Sequence, residues 1–318
     1  MPNTRPLQHH EPPHERASGL WSTRSPLPVL KRQISADGTR KLLLQLADGQ
    51  TVETVVMTMP SSHTLCLSTQ VGCPMGCTFC STGRSGFVRN LSGAELLGQV
   101  RTAGAELHAA AGLWPERAVF MGMGEPLLNF DALRDCLHAL ATAPGRHLSW
   151  RKILVSTVGI PDRLDELGRM RLALPAVSLH APSQALRDRI MPGARPWPLR
   201  ELIPALLRYP LPGRERMTIE YILIRDANDS DAHARELHEL LGDMRAKINL
   251  IPCNPVPGSP HRAPEPERVG GFAAALDALG RTAFVRRSHG PDIMAACGQL
   301  RARHLADGTD RPTRETRS

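Results

Sequence analysis

Aromatic residues are scarce in this sequence: Phe, Trp and Tyr make up only 4% of 318 residues. They form no RNA-recognition aromatic motif, so any access to a base must come from the fold or from a nucleic acid already open. No apolar run approaches the ~18 residues that a membrane-spanning helix needs. The first thirty residues carry charges throughout and lack the apolar h-region of a secretory signal. A reducing compartment, the cytoplasm, is therefore expected, and no disulfide framework with it. There is no internal repeat. What the chain does have is an excess of cations, 39 Lys and Arg against 31 Asp and Glu, for a formal net charge of +8. A polyanionic partner such as RNA or DNA fits that balance, and a merely basic soluble protein fits it equally. With 41% hydrophobic and 22% charged residues the chain reads as globular.

Residues 1–27 are rich in Pro, His, Arg and Ser without periodicity and read as a disordered arm; residues 302–318 read the same way. Residues 28–62 form an extension whose Lys41–Leu46 and Val52–Met57 runs, joined across Asp48-Gly49, spell a β-hairpin. From 63 to 301 short apolar runs alternate with helical patterns. Strands are expected at Leu65–Val71, Ala118–Met123, Lys152–Thr157, Leu172–Leu179, Thr218–Ile224, Lys247–Ile251 and Thr282–Arg286. Helices are expected at Gly93–Ala103, Phe130–Ala143, Pro161–Met170, over a stretch reaching Leu207, at Asp231–Asp243 and at Glu265–Leu279. Strand then helix, repeated about six times, implies an α/β fold with a parallel sheet, best met by an open or closed α/β barrel. Working residues of such barrels lie at the C-terminal ends of the strands.

Seven cysteines are present, and Cys73, Cys77 and Cys80 fall within eight residues as CxxxCxxC. Three thiolates that close can grip three corners of a cubane iron–sulfur cluster and leave the fourth iron open. A structural zinc site wants four ligands, usually as two CxxC pairs. Cys66 could complete one, giving a zinc-stabilised nucleic-acid-binding protein without catalysis. The lack of a second CxxC pair favours the cluster. Met121-Gly122-Met123-Gly124-Glu125-Pro126 follows a strand. Its glycines let backbone approach a ligand, and Glu125 can accept a hydrogen bond from an amino group. The third glycine of a dinucleotide fingerprint is missing, and an ordinary glycine turn is the plainer reading. Ser156-Thr157 and Ser178-Leu179-His180 end the next strands, where helix capping is the plain alternative. Asn254 follows a later strand and could be a turn residue. Their recurrence at equivalent strand ends makes a cradle.

The cysteine spacing, with Phe79 before the last cysteine, resembles the signature of the radical S-adenosylmethionine (radical SAM) superfamily. Longer strings are similar to one branch, the radical SAM 23S rRNA adenine methyltransferases, which methylate adenine at C2 or C8. These strings are Cys66-Leu-Ser-Thr-Gln-Val-Gly-Cys73, Phe79-Cys-Ser-Thr-Gly-Arg-Ser-Gly-Phe87, Gly122-Met-Gly-Glu-Pro-Leu-Leu-Asn129, Val177-Ser-Leu-His-Ala-Pro182, Lys247-Ile-Asn-Leu-Ile-Pro-Cys-Asn-Pro255 and Ala296-Cys-Gly-Gln-Leu300. The resemblance runs from about Asp37 to Leu300 and implies a partial (β/α)6 barrel. It implies a 4Fe-4S cluster on Cys73, Cys77 and Cys80. It implies S-adenosylmethionine bound by Gly124, Glu125, Ser156, Ser178, Leu179, His180 and Asn254. Cys297 would carry the methyl group, Cys66 would resolve it as a Cys66–Cys297 disulfide, and Glu53 matches the active-site carboxylate. On position alone Glu53 reads as a solvated strand charge. Implied partners are rRNA or tRNA, an electron donor such as a flavodoxin or ferredoxin, and a thiol reductant. The family normally opens with a small helical domain that helps dock the RNA, and only about 36 residues precede the match here. That departure keeps a second reading alongside: the same two-cysteine chemistry on a non-RNA substrate. Arg84, Arg89, Arg286 and Arg287 are candidate RNA contacts, with solvated charge as the default. Cys136 and Cys253 read as structural.

Overall fold

A computed structural model describes residues 26–300. The expected arm and tail lie almost wholly outside the described residues. The described residues open on an antiparallel meander of β1 (Val29–Ile34), β2 (Arg40–Gln45) and β3 (Thr51–Met59). The β2–β3 turn is the Asp48-Gly49 dipeptide: Gly49 has φ +82°, and Asp48 Oδ1 accepts from the Gln50 amide at 3.1 Å. An aspartate bonding its own turn, followed by a residue free to take positive φ, is the physical content of that signal. The sequence reading stopped at a hairpin. β1 escaped it because the strand is an edge with Lys31 and Arg32 exposed, so its alternation is masked.

β3 pairs antiparallel with β4 (Ser62–Cys66), and from there the sheet is parallel. Its further strands are β7 (Arg117–Phe120), β8 (Ile153–Thr157), β9 (Leu174–Ser178), β10 (Met217–Leu223), β11 (Ala246–Pro252) and β12 (Thr282–Val285). The strand order is β1-β2-β3-β4-β7-β8-β9-β10-β11-β12, and β12 and β1 remain unpaired edges among the described strands. This is the expected partial α/β barrel. Crossover helices cover it: α1 (Ser81–Arg84), α2 (Gly93–Ala111), α3 (Phe130–Thr142), α4 (Pro161–Met170), α5 (Gln184–Ile190), α6 (Leu199–Arg208), α7 (Asp231–Leu241) and α8 (Pro266–Ala278). β10 shows what a doubly covered parallel strand looks like, with every residue of Met-Thr-Ile-Glu-Tyr-Ile-Leu buried.

The expected single strand Leu65–Val71 is split. β4 ends at Cys66, and Gln70–Gly72 forms β5, which pairs with β6 (Phe87–Asn90) in a separate small sheet. Gln99 on α2 causes the break. Its Oε1 accepts from the Ser68 amide at 2.9 Å and from Thr54 Oγ1 at 2.7 Å, and its Nε2 donates to the Ser68 carbonyl at 2.8 Å. Both backbone groups of Ser68 are thereby taken by a buried amide, and Ser68 Oγ is free to accept from the Met123 amide at 2.9 Å. The helical stretch expected to reach Leu207 is likewise two helices, because Pro192 and Pro198 intervene between α5 and α6. Gln99→Ala should strand both Ser68 backbone groups in a dry interior. The expected cost is about 3 kcal/mol, read as a lower urea midpoint with an unchanged slope.

Candidate active site

The strand ends converge on two adjoining cavities. The larger, of about 150 Å³, is bounded by Cys73, Cys77 and Cys80 on one side and by Glu125, Ser178 and Glu220 among others on the sheet side. The smaller, of about 30 Å³, holds Cys66, Cys297, Met57, Asn254 and Arg286 in its wall. Met121, Ile251 and Cys297 line both.

The cysteine loop is pinned from outside rather than by regular structure. The Cys73 amide donates to the Gly86 carbonyl at 2.8 Å and the Thr78 amide to the Ile190 carbonyl at 3.0 Å. The Gly193 amide donates to the Met75 carbonyl at 2.8 Å. Burial pushes the Cys73 thiol up to about 12 and raises Cys77 and Cys80; the Cys80 sulfur further raises Cys73, and Cys80 and Cys73 together further raise Cys77. Backbone N–H groups of Met75 and Gly124 act on Cys73, and those of Gly83 and Thr82 on Cys80, in the opposite sense. Crowded, desolvated thiols met by N–H donors suit a group that brings its own positive charge. No three His, Cys, Asp or Glu side chains among the described residues converge as they would on a single ion. Thiols spread around a cavity fit a group with several irons, each taking one thiolate, better than zinc.

Facing them, the turn after β7 comes close to β5. A Cβ on Gly124 (φ +105°) would sit 2.7 Å from Gln70 Cβ, and one on Gly122 would sit 2.7 Å from the Leu67 carbonyl. Both glycines are required by that approach. The Glu125 amide donates to Gln70 Oε1 at 2.8 Å. The Glu125 carboxylate accepts from Thr157 Oγ1 at 2.6 Å and from the Val158 and Leu127 amides at 2.9 and 3.0 Å. Burial still prevails and moves it up to about 7. Ser156 Oγ and Ser178 Oγ lie 3.3 Å apart on neighbouring strands. His180 has φ +59°, held by Asn228 Nδ2 donating to its carbonyl at 2.8 Å. Its Nδ1 accepts from the Ile222 amide at 3.1 Å, and burial lowers the ring to about 3. The imidazole is thus neutral, with Nε2 carrying the proton, and it packs edge-on against Phe79 at 5.1 Å.

Cys66 ends β4 and Cys297 sits on the loop after β12. Burial, then the nearby Cys297 sulfur, pushes the Cys66 thiol up to about 12; Arg286 opposes this at both cysteines. Cys297 is exposed to the cavity, and its loop is tied down on several sides. Asn254 Nδ2 donates to the Cys297 carbonyl at 3.0 Å while its Oδ1 accepts from Ser288 Oγ at 2.7 Å. The Ser81 amide donates to the Gly298 carbonyl at 2.6 Å, joining this loop to the cysteine loop. Lys41 Nζ donates to the Met294 carbonyl at 3.2 Å and pairs with Glu53, also at 3.2 Å.

Two sequence-derived site residues stand apart from the cavities. Leu179 is fully buried and its amide is spent on the Val177 and Glu220 carbonyls, so its side chain belongs to the core. Glu53 is no solvated charge: it is buried in an ion pair four residues along β3 from Met57, which does line the smaller cavity. Asn254 reaches the cysteine-pair cavity, not the larger one. Of the candidate RNA contacts, Arg89 is clamped by Asp48 and Glu95, and Arg286 turns inward to Glu220. Arg287 stays exposed at the rim. The sequence reading missed Arg187, a fully buried guanidinium that donates to the Val158 and Trp197 carbonyls at 2.6 and 3.0 Å and acts on Cys77 and Glu125. It also missed Glu220. A single acid inside an otherwise apolar strand was the available signal for the latter.

Residues 67–237 match the Radical SAM superfamily model. Over 284 residues the chain is 51% identical to the dual-specificity RNA methyltransferase RlmN of Nitratidesulfovibrio vulgaris, covering 87% of this chain and 78% of that protein. The chain belongs to the radical SAM superfamily and to its RlmN family. It is 49% identical over 294 residues to RlmN of Solidesulfovibrio magneticus, covering 92% of this chain and 84% of that protein. A radical SAM methyltransferase from Sphaerobacter thermophilus, known from its crystal structure, superposes with a TM-score of 0.84 at 43% identity, over 88% of this chain and 82% of that one. The cofactors of a radical SAM enzyme are a 4Fe-4S cluster and S-adenosylmethionine. No described helix is long and apolar enough to cross a membrane.

Proposed function

We propose that the chain methylates an adenine carbon, C2 or C8, of ribosomal or transfer RNA through a methyl group carried on Cys297. The observation that carries this reading is the double exposure of Cys297, which faces the cavity of the three clustered cysteines and also the cavity of Cys66. Adenine C2 lies between two ring nitrogens and is electron-poor, so it cannot displace a methyl group from a sulfonium, whereas a thiolate can. Cys73, Cys77 and Cys80 would hold the cluster. Gly124, Glu125, Ser156, Ser178 and His180 would bound the cofactor. The chemistry supplied by the bound cluster and S-adenosylmethionine is a methyl group, one-electron reduction and hydrogen-atom abstraction.

The remaining work falls to this chain. Cys297 Sγ holds the methyl carbon between the two cavities. Asn254 fixes the Cys297 loop through the carbonyl. Lys41 orients Glu53, the active-site carboxylate, and anchors the same loop at Met294. Cys66 Sγ attacks Cys297 Sγ once the carbon is bonded to the base, releasing product and leaving a disulfide that a cellular thiol reductant resets. Electrons come from a flavodoxin- or ferredoxin-like donor, and the setting is the cytoplasm. Deleting the gene should remove 2-methyladenosine or 8-methyladenosine from hydrolysed rRNA or tRNA, as read by nucleoside mass spectrometry. Nucleoside profiles identical with and without the gene would sink the RNA reading and leave a non-RNA substrate.

A further inference from the structure

Cys297 ends a segment, residues 287–297, that leaves an edge strand: β12 pairs only with β11 among the described strands. The sheet does not fix such a segment, and a free one would spread Cys297 over many positions. The structure holds it in two halves. Residues 297–300 are tied to the barrel side, where the Cys297, Gly298 and Leu300 carbonyls accept from Asn254 Nδ2, the Ser81 amide and Thr82 Oγ1. Residues 289–294 are tied instead to the β1–β2 turn, at the far end of the described chain.

Asp37 in that turn divides its oxygens. Oδ1 accepts from the Thr39 amide at 2.9 Å and closes the turn. Oδ2 accepts from the Gly290 amide at 3.0 Å, with His289 Nδ1 at 3.6 Å. Asp292 reaches back from the loop: its Oδ1 accepts from Ser35 Oγ at 2.6 Å and its Oδ2 from the Ala36 amide at 3.2 Å. The two backbones also approach closely. A Cβ on Gly290 (φ +57°) would sit 3.1 Å from Thr39 Cγ2 and 2.9 Å from Ala295 Cβ. Lys41 Nζ adds its bond to the carbonyl of Met294, a non-glycine residue at φ +52°. Such a bend persists only where the surroundings over-determine it. A turn that merely reversed the chain would need none of these bonds. Asp48 closes the β2–β3 turn by the same kind of Oδ1 bond, and its other oxygen goes to Arg89. Neither Asp37 nor Asp292 lines either cavity. We propose that the β1–β2 turn is a clasp that sets the place of Cys297, with Asp37 and Asp292 as positioning residues for methyl transfer. The inference rests on the reading of Cys297 as the methyl carrier. Transfer needs the thiol sulfur in line with the sulfonium methyl, where a misplacement of about 1 Å can cost about 100-fold in rate.

The test follows a labelled methyl group onto Cys297. Full-length protein is loaded anaerobically with iron and sulfide, its Cys297 shown unmethylated by peptide mass spectrometry, and given S-adenosylmethionine bearing a CD3 group. The reaction moves CD3 from the sulfonium to Cys297 Sγ and leaves S-adenosylhomocysteine and a proton. The labelling rate per cluster at saturating cofactor is measured beside the cofactor Kd. Asp292→Ala removes two bonds to the turn. Gly290→Ala pushes the loop off Thr39 without removing a polar group. Each should slow labelling by about 10- to 100-fold while Kd and iron content stay at the wild-type level. Asp292→Asn keeps an acceptor for the Ala36 amide and an NH2 that can donate to Ser35 Oγ, and should restore most of the rate. Asp48→Ala, the matching change in the other turn, should label at the wild-type rate per cluster. Wild-type labelling in both Asp292→Ala and Gly290→Ala overturns the inference. So does a rate that falls in step with cofactor affinity and iron content, or falls equally in Asp48→Ala, since either marks a general loss of structure. A wild type that binds the cofactor and never labels Cys297 overturns the methyl-carrier reading and the inference with it; a wild type that labels no faster than the two variants overturns the clasp alone.

Discussion

Cys77→Ala protein, reconstituted anaerobically with iron and sulfide, should take up little iron and produce no 5′-deoxyadenosine. The expectation follows from the count of ligands. Cys73, Cys77 and Cys80 are the only thiols on the cluster side of the larger cavity, apart from Cys297 at its boundary. Each would supply one iron with its only protein ligand. Loss of one leaves two thiolates for a four-iron group, and neither carboxylate of the cavity stands in for it: Glu125 is committed to three donors, and Glu220 is tied to Asn249 and Arg286 on the sheet wall. The fold should survive the change, because the loop is held by backbone bonds at Cys73, Thr78 and Met75. Cys136→Ala, which removes a thiol buried in α3, is the control and should keep its full iron content. Cys77→Ala protein with full iron and undiminished deoxyadenosine would remove the cluster assignment from this loop.

The parts of the molecule that were legible in sequence are those where one residue type meets one physical demand. Asp48-Gly49 announced its turn because only such pairs combine a self-bonding side chain with positive φ. The cysteine triplet was legible because its spacing serves little else, and Gly122 and Gly124 because a close backbone approach excludes a Cβ. The rest depended on partners distant in the chain. The break after Cys66 is made by Gln99, thirty-three residues on, and no local pattern in Leu65–Val71 reports it. Glu53 could be matched to a carboxylate position, but its burial depends on Lys41 across the β2–β3 pair and on the loop at Met294. Arg286 read as a surface cation because Arg287 beside it is one; the strand end directs one inward and the other out. Leu179 shows the limit of carrying a motif over residue by residue, since its side chain lies in the core and its amide is taken by the Val177 and Glu220 carbonyls.

Cys297→Ala and Cys66→Ala enzymes should fail at different points, and the difference is large enough to read on an intact-protein mass spectrum. Cys297 is needed before any bond to the base can form, so its loss should give no methylation and no protein–RNA adduct. Cys66 is needed only afterwards. Cys66→Ala enzyme should still load a methyl group on Cys297 and still join that carbon to the base. It then lacks the thiolate that attacks Cys297 Sγ, and the joined species should persist as added nucleotide mass that reductant does not remove. The geometry supports this ordering. Of the cysteines, Cys297 alone lines both cavities, whereas Cys66 lines only the smaller one. Burial raises both the Cys66 and the Cys297 thiols, and the Arg286 charge opposes this at each. Cys66, which does not line the larger cavity, does not compete with Cys297 for a methyl group delivered there. If Cys66→Ala enzyme turns over normally, the disulfide route is wrong, and Cys66 is then a buried strand-end thiol whose neighbour happens to be Cys297.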